Sequence, residues 1–136
     1  MKNIISLICR LFLILVFGYT AYHKLFDING FEETLLKSTL IDENQIIYIL
    51  YALPTIEIIT VMLLLIKNNI YGLYLSLFLM LMFTAYLVAL NNFSFYKGCS
   101  CGGIFNELSY QNHIIVNIIL IIFSVTSILF FKKHSN

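Results

Sequence analysis

Residues 46–90 decide the fold: they read IIYILYALPTIEIITVMLLLI (46–66), then Lys67-Asn68-Asn69, then IYGLYLSLFLMLMFTAYLVAL (70–90). Each apolar run is long enough to cross a membrane, because about 20 helical residues span a hydrocarbon core of about 30 Å. The polar turn between them is very short, so the second helix must run antiparallel beside the first. The sequence therefore predicts a pair of antiparallel transmembrane helices.

Two further apolar runs flank this pair, at residues 4–22 and 113–131. Hydrophobic residues make up 60% of the 136-residue chain and charged residues 11%, against roughly 45–50% and 25% in soluble domains. Too little polar surface exists to cover a soluble particle, so the composition indicates a lipid bilayer. We predict one all-α domain, an integral membrane four-helix bundle with helices at 4–22, 46–66, 70–90 and 113–131. Polar outer loops are expected at 23–45 and 91–112.

The first apolar run has a second interpretation, a cleaved signal peptide, because Lys2 precedes it. Arg10 interrupts the run, however, and no A-x-A-like cleavage site follows, so we expect a retained helix. The net charge of +1 and the absence of a basic block argue against nucleic acid as a partner.

The distribution of lysine and arginine predicts the orientation of the helices. Four spans put both termini on the same side. The basic residues divide five to three between the two sides: Lys2, Arg10, Lys67, Lys132 and Lys133 against Lys24, Lys37 and Lys97. We therefore expect cytoplasmic termini and loops 23–45 and 91–112 outside. In a bacterial inner membrane the outside is the periplasm, where disulfides form and persist.

The polar segment 23–45 has two equally supported interpretations. Phe31, Leu35 and Leu36 stand at helical spacing, which is typical of a short amphipathic helix at the membrane surface. The alternative is a solvated loop.

Two of the three cysteines lie in Lys97-Gly98-Cys99-Ser100-Cys101-Gly102-Gly103. A Cys-x-Cys disulfide closes a small ring, and departure from relaxed geometry makes it easier to reduce, as catalytic disulfides are. The glycines permit the tight backbone conformations that such a ring needs. Three interpretations stay open: a redox dithiol, a copper(I) or zinc site of Cys99, Cys101 and His113, and a static bridge or two ordinary loop cysteines.

His113 opens the fourth predicted helix, with Asn117 one turn further on the same face. A histidine near thiols can accept a proton or stabilise a thiolate when it is protonated. The alternative is an interfacial histidine that only ends the apolar run. Asn117 more often serves as a hydrogen-bonding residue between helices.

Arg10 and Glu57 are charged residues within the predicted membrane spans, where such residues are functional or paired. Their predicted heights differ by roughly 4–5 Å at about 1.5 Å per residue, so we predict a structural Arg10–Glu57 ion pair between helices 1 and 2. The alternative is that Arg10 extends to the headgroups and Glu57 is protonated. Cys9 lies near the opposite membrane face from the other cysteines, and we expect it to be a buried apolar residue.

Small and aromatic residues also follow a pattern. Four small residues of the third run allow close helix contact: Gly72, Ser76, Thr84 and Ala85. Aromatic residues gather near the proposed outer face: Tyr19, Tyr22, Tyr48, Tyr51, Tyr86, Phe93, Phe95 and Tyr96. An interfacial aromatic belt accounts for them. A quinone headgroup can also stack there, although no sequence feature demands one.

Several of these motifs resemble known membrane proteins. Arg10, Gly18, the run His23-Lys24-Leu25-Phe26-Asp27 and Phe31 resemble the opening of DoxX-like proteins, and Leu53-Pro54 with Glu57 resembles the start of their second helix. The Cys99-Ser100-Cys101-Gly102-Gly103 loop, followed by Leu108-Ser109 and His113-x-x-x-Asn117, is similar to the MauE family, methylamine-utilization protein E. The resemblance covers nearly the whole chain, and the cysteine loop is its more specific part.

The resemblance implies a four-helix membrane protein associated with redox chemistry and with maturation of a disulfide-rich periplasmic methylamine dehydrogenase. Related bundles of the vitamin K epoxide reductase group pass electrons from thiols to quinone, but through a Cys-x-x-Cys motif. This chain has Cys-x-Cys and lacks a second outer cysteine pair. A thioredoxin-like partner would therefore supply the missing dithiol.

Our predicted function is thiol–disulfide exchange, or disulfide maturation of a periplasmic redox partner, through Cys99 and Cys101. His113 is the third predicted catalytic residue. The alternatives are a non-enzymatic membrane anchor or assembly subunit of a redox complex, and metal binding by the Cys-x-Cys loop. A transporter would place more polar ligands at mid-membrane than this chain has.

Overall fold

The computed structural model describes residues 2–66, 69–94 and 109–134, and in these residues all regular structure is helical. Five helices follow one another along the chain: α1 (Lys2–Phe26), α2 (Ile28–Lys37), α3 (Glu43–Leu65), α4 (Tyr71–Phe93) and α5 (Tyr110–His134). By length and composition, α1, α3, α4 and α5 can each cross a membrane. The prediction of an all-α protein with four long membrane helices is confirmed.

The four long helices form a closed bundle in which α1 packs on α3 and α5, and α4 packs on the same two helices. The shared core consists of apolar side chains from all four: Leu13, Phe17, Leu64, Leu73, Leu79, Met80, Leu120 and Ile128. Most outward-facing positions are also apolar, for example Leu15 and Leu129, which are 68% and 64% exposed. An apolar exterior around an apolar core is the pattern of a bundle that lipid surrounds.

The polar segment after α1 contains a helix over Ile28–Lys37, so the helical interpretation of residues 23–45 is confirmed there, while its position at the membrane surface stays a prediction. Asp27 caps α2, because its carboxylate accepts a hydrogen bond from the Gly30 N–H at 3.1 Å. Phe31 and Leu35 are buried against Ile46 and Leu50 of α3. The first turns of α3 are therefore covered by α2.

The small residues of α4 contribute unequally to helix contacts. A Cβ added at Gly72 would lie 2.8 Å from backbone atoms of Leu63 and Leu64, so the two backbones approach closely there. Ser76 is fully buried, and its hydroxyl lies 3.3 Å from the Ser124 hydroxyl of α5. Thr84 is partly buried and Ala85 is exposed. The expectation of close contact is confirmed for Gly72 and Ser76, while Ala85 faces outward.

Arg10 stabilises the opposite end of α3. Its Nε donates to the Leu64 carbonyl at 2.5 Å, and its Nη2 donates to the Ile66 carbonyl. These are carbonyls of the last turn of a helix, which have no partner within the helix itself. The guanidinium therefore caps α3 and places its positive charge at the negative end of the helix dipole. Cys9, the neighbouring residue, is buried and free, as predicted.

Candidate functional site

A buried ion pair joins α1 to α3. The Lys24 Nζ lies 2.5 Å from the Glu57 Oε1, and both side chains are completely inaccessible to solvent. Lys24 stands two residues before the end of α1, whereas Glu57 lies near the middle of α3. Because a lone charge is costly inside a membrane bundle, each residue supplies the partner that the other needs.

The predicted Arg10–Glu57 pair is therefore wrong. The prediction assumed that the apolar runs 4–22 and 46–66, which correspond to α1 and α3, begin and end at the same depths in the membrane. In the structure Arg10 reaches the C-terminal end of α3, and Glu57 lies seven residues before Leu64, about 10 Å away along the helix. Lys24 was assigned to a polar loop, but α1 continues through it to Phe26 and brings it to Glu57.

Aromatic and hydroxyl groups complete the surroundings of the pair. The Lys24 Nζ lies 5.1 Å from the ring centre of Phe83 and 5.6 Å from that of Phe31, within the range of a cation–π contact. Thr20, one turn before Lys24, is also buried; its hydroxyl donates to the Phe17 carbonyl at 3.2 Å.

A small cavity of about 20 Å³ adjoins the pair. Its polar lining consists of Thr20, Glu57, His113 and Asn117, and the remainder is apolar. Glu57 Oε2 and Asn117 Nδ2 are buried there without a hydrogen-bond partner among the described residues. The volume is about that of a single water molecule.

His113 enters this polar cluster from the first turn of α5. Its backbone N–H donates to the Ser109 carbonyl at 2.9 Å, and its side chain is 98% buried. Asn117 follows one turn later and is also buried. The prediction that His113 and Asn117 share a face is confirmed, because both line the cavity. The interpretation of His113 as a residue that merely ends the apolar run does not fit this burial.

The predicted cysteines lie outside the described residues. The chain that carries Cys99 and Cys101 leaves the described part at Ser94, just after α4, and returns at Ser109, just before α5. No group of three or more histidine, cysteine, aspartate or glutamate side chains among residues 2–66, 69–94 and 109–134 is arranged to hold a metal ion.

Sequence reasoning missed Lys24 and Thr20 as members of the cluster, although a signal was present. Leu13, Phe17, Thr20 and Lys24 follow one another at spacings of four, three and four residues, and all four are buried. This is the spacing of a single helix face. Continuing the helix for one more turn beyond residue 22 would have placed Lys24 on the buried side of α1.

A family model described as methylamine utilisation protein MauE matches residues 2–130. The match extends from α1 through most of α5 and includes Cys99 and Cys101. No curated protein and no solved structure matches the chain.

Proposed function

We propose that this chain, which belongs to the MauE family of methylamine utilisation membrane proteins, exchanges disulfides with a partner protein through Cys99 and Cys101. The exchange takes place at the outer face of a bacterial inner membrane. The partner is a periplasmic redox protein, either a thioredoxin-like protein or a client whose disulfides mature.

The observation that carries this proposal is the position of the buried cluster relative to the cysteine loop. His113 follows Ser109, the described end of that loop, by four residues, and Cys99 follows Ser94, the other end, by five. Tyr110 and Ile114 of α5 pack on Leu87 of α4, so Ser94 and Ser109 stand at the same end of the bundle. The segment that carries both cysteines therefore leaves the bundle and returns to it at the end that holds His113.

The exchange balances with the two thiols of the client as the reductant and the disulfide of a thioredoxin-like protein as the oxidant. A thiolate of the partner attacks one sulfur of a Cys99–Cys101 disulfide, and the other cysteine leaves as a thiolate. The second partner thiol then attacks the mixed disulfide, which leaves a disulfide in the partner and a dithiol in this chain. Two electrons and two protons pass to Cys99 and Cys101. A thioredoxin-like disulfide reverses the step and reoxidises the pair.

Each attack in this scheme requires a proton to leave one thiol and to reach another. His113 is the candidate for holding that proton, because it stands in the first turn of α5, immediately after the cysteine loop. Glu57 lines the cavity beside His113, and its ion pair with Lys24 closes α1 onto α3. In this proposal they are positioning residues, while Cys99 and Cys101 carry the reaction.

The structure also bears on the proposed orientation. Lys24 is buried in an ion pair, so it no longer counts among the basic residues of the outer side. Arg10 also lies within α1 and bonds inside the bundle, so the remaining basic residues divide four to two: Lys2, Lys67, Lys132 and Lys133 against Lys37 and Lys97. The margin of two that supports cytoplasmic termini and an outside cysteine loop is unchanged.

Trapping of the mixed disulfide tests the exchange. In a Cys101→Ser or Cys99→Ser variant, the remaining thiolate can attack the disulfide of the thioredoxin-like partner, but no neighbouring cysteine is left to displace that partner from the mixed disulfide. One of the two variants should therefore accumulate a disulfide with the thioredoxin-like partner. Non-reducing electrophoresis of membranes from cells of the native host shows this as a larger species that disappears on reduction. The double variant should show none and should lose partner maturation.

Cys9→Ser is the matched control, because Cys9 is buried near the other end of α1 and should leave the trapped species unchanged. Full maturation of the partner in the Cys99→Ser/Cys101→Ser variant, with the protein still inserted in the membrane, would contradict the proposal. That result would favour a membrane anchor or assembly subunit instead.

A further inference from the structure

A larger cavity, of about 290 Å³, lies between α2, α3 and α4. Among the described residues that line it, only Tyr86 carries a polar side-chain group, and the hydroxyl of Tyr86 is itself buried. The inner surface of the cavity is therefore hydrocarbon. Because protein interiors contain few voids larger than a water molecule, a space of this size calls for an occupant.

The hydrocarbon surface restricts the chemistry of that occupant. A bound water needs about two to four polar partners, and this wall offers it none. An apolar cavity of about 150 Å³ lined by leucine, isoleucine and phenylalanine stays dry and takes up an apolar molecule instead. The occupant is therefore a hydrocarbon that places no polar group inside the cavity.

The cavity is elongated along the helix axes. Its wall extends from Ile49 to Ile56 on α3 and from Phe78 to Tyr86 on α4. These pairs are seven and eight residues apart, which corresponds to about 10–12 Å at about 1.5 Å per residue. One leaflet of the hydrocarbon core is about 15 Å deep, half of about 30 Å. The length and direction of the cavity fit an extended hydrocarbon chain that runs parallel to the helices.

The cavity is open to the lipid side of the bundle. Phe78 and Met82 line it and are also 57% and 54% exposed on α4. Ile56 of α3 lines it and is 37% exposed. A hydrocarbon chain of a neighbouring lipid can therefore enter sideways between α3 and α4 while its headgroup remains at the membrane surface.

A chain in the cavity would also support α2. Leu35 of α2 lines the cavity, and Phe31, one turn earlier, lies over the Lys24 Nζ at 5.6 Å. A void leaves the side chains around it without van der Waals partners on one side. An occupant restores those contacts and so stabilises the helix that covers the buried ion pair.

We propose that this cavity binds one acyl chain of a membrane phospholipid. The chain lies between α3 and α4 beneath α2, and its headgroup stays outside the cavity. Because the wall contacts only hydrocarbon, the site recognises the chain and not the headgroup. The inference rests on the cavity and is independent of the proposed thiol exchange.

Photolabelling with a lipid maps the position of the chain. The full-length protein is placed in phosphatidylcholine vesicles that contain a phosphatidylcholine with a diazirine in one acyl chain, and labelled residues are identified by peptide mass spectrometry. Surrounding lipid labels any exposed residue, so half-buried cavity residues are the informative ones. We expect Leu53 and Phe83 to be labelled as strongly as the exposed Phe78. Leu64 and Leu73, each 1% exposed and outside the cavity, should stay unlabelled.

Blocking the cavity provides the second test. Leu53→Trp places a bulkier ring in the cavity, so labelling of Phe83 should fall to the level of Leu64, while labelling of the exposed Leu129 on α5 should not change. Ile58→Trp is the matched control, because Ile58 is on the same helix, 43% exposed and outside the cavity. It should leave Phe83 labelled. A diazirine phosphatidylglycerol should label Phe83 as well as the phosphatidylcholine does.

Three results would overturn the inference. The first is labelling confined to exposed residues, with Leu53 and Phe83 unlabelled in the unsubstituted protein, a comparison that holds even if Leu53→Trp folds poorly. The second is undiminished labelling of Phe83 in a folded Leu53→Trp protein. The third is labelling of Phe83 by only one of the two phospholipids, which would assign the binding to a headgroup contact.

Discussion

Lys24 and Arg10 are two basic residues of the same apolar helix, and the structure satisfies them in different ways. Lys24 is fully buried and pairs with a carboxylate of α3. Arg10 is only partly buried and donates to two backbone carbonyls at the end of the same helix. Both residues bind α1 to α3, but only the Lys24 contact brings a second buried charge with it.

This difference separates a structural contact from a candidate site. Helix C-terminal carbonyls need donors in any bundle, so Arg10 serves the fold. The Lys24–Glu57 pair instead adjoins a cavity that His113 and Asn117 also line, and two polar atoms there lack partners among the described residues. A purely structural role would be filled as well by apolar side chains. The excess of polar groups at the Lys24 end is therefore what points to function.

The largest loss of stability is expected when one member of the buried ion pair loses its charge and the other stays charged without a partner. Glu57→Gln keeps the shape of the side chain and removes the charge that Lys24 faces, so it should lower the free energy of unfolding by about 3–5 kcal/mol. Unfolding in mixed detergent micelles measures this change. Glu33→Gln is the matched control, because Glu33 pairs with Lys37 at 2.7 Å on the exposed face of α2 and should lose less than about 1 kcal/mol. Equal losses in the two variants would remove the distinction between the buried and exposed pairs.

Gly72→Ala tests the close packing of α4 against the end of α3 that Arg10 caps. The added methyl group would meet the backbone of Leu63 and Leu64, the turn of α3 that Arg10 caps. Overpacking of this kind should cost about 1–3 kcal/mol in the same unfolding assay. Gly18→Ala serves as the control, since nothing lies within 4 Å of a Cβ added at Gly18. If Gly72→Ala leaves the free energy of unfolding unchanged, α4 does not pack closely against the end of α3.

Arg10→Lys tests whether Arg10 acts through its hydrogen bonds to backbone carbonyls or through its positive charge alone. The lysine keeps the positive charge but cannot present the fixed fork of donors that reaches the Leu64 and Ile66 carbonyls together. We expect a loss of about 1 kcal/mol, the value of one hydrogen bond. A loss in the free energy of unfolding as large as that of Glu57→Gln would mean that Arg10 also pairs with a buried charge.

The smallest stability effect is expected when both members of the pair are replaced. In the Lys24→Met/Glu57→Leu variant no buried charge remains, so its stability should fall within about 1 kcal/mol of the unsubstituted protein. Disulfide exchange, measured by trapping of the mixed disulfide, should nevertheless fall. Normal exchange in a stable double variant would show that the pair serves the fold alone.

The long helices were predictable because each apolar run has the length of a membrane span, and α2 was predictable only as one of two alternatives because it is short. The site was predictable in part. His113, Asn117 and Glu57 stood out as polar residues in apolar surroundings. Their partner Lys24 did not, because hydropathy places the end of α1 at Tyr22.

The pairing itself depends on the offset between helices, which no sequence pattern encodes. Lys24 stands about 3 Å from the end of α1, while Glu57 stands about 21 Å from the start of α3. The excess length of α3 is covered by α2, an element that the prediction left open. The prediction assumed that the first two membrane helices end at the same depths, and on that assumption Arg10 lies closest in height to Glu57.

The central claim, an outside disulfide that exchanges with a partner, is tested most directly by thiol labelling in intact cells with a membrane-impermeant maleimide. We predict labelling of Cys99 and Cys101 only after reduction, and no labelling of the buried Cys9 in either state. Labelling that requires cell lysis, with or without reduction, would place the cysteine loop on the cytoplasmic side and contradict the account.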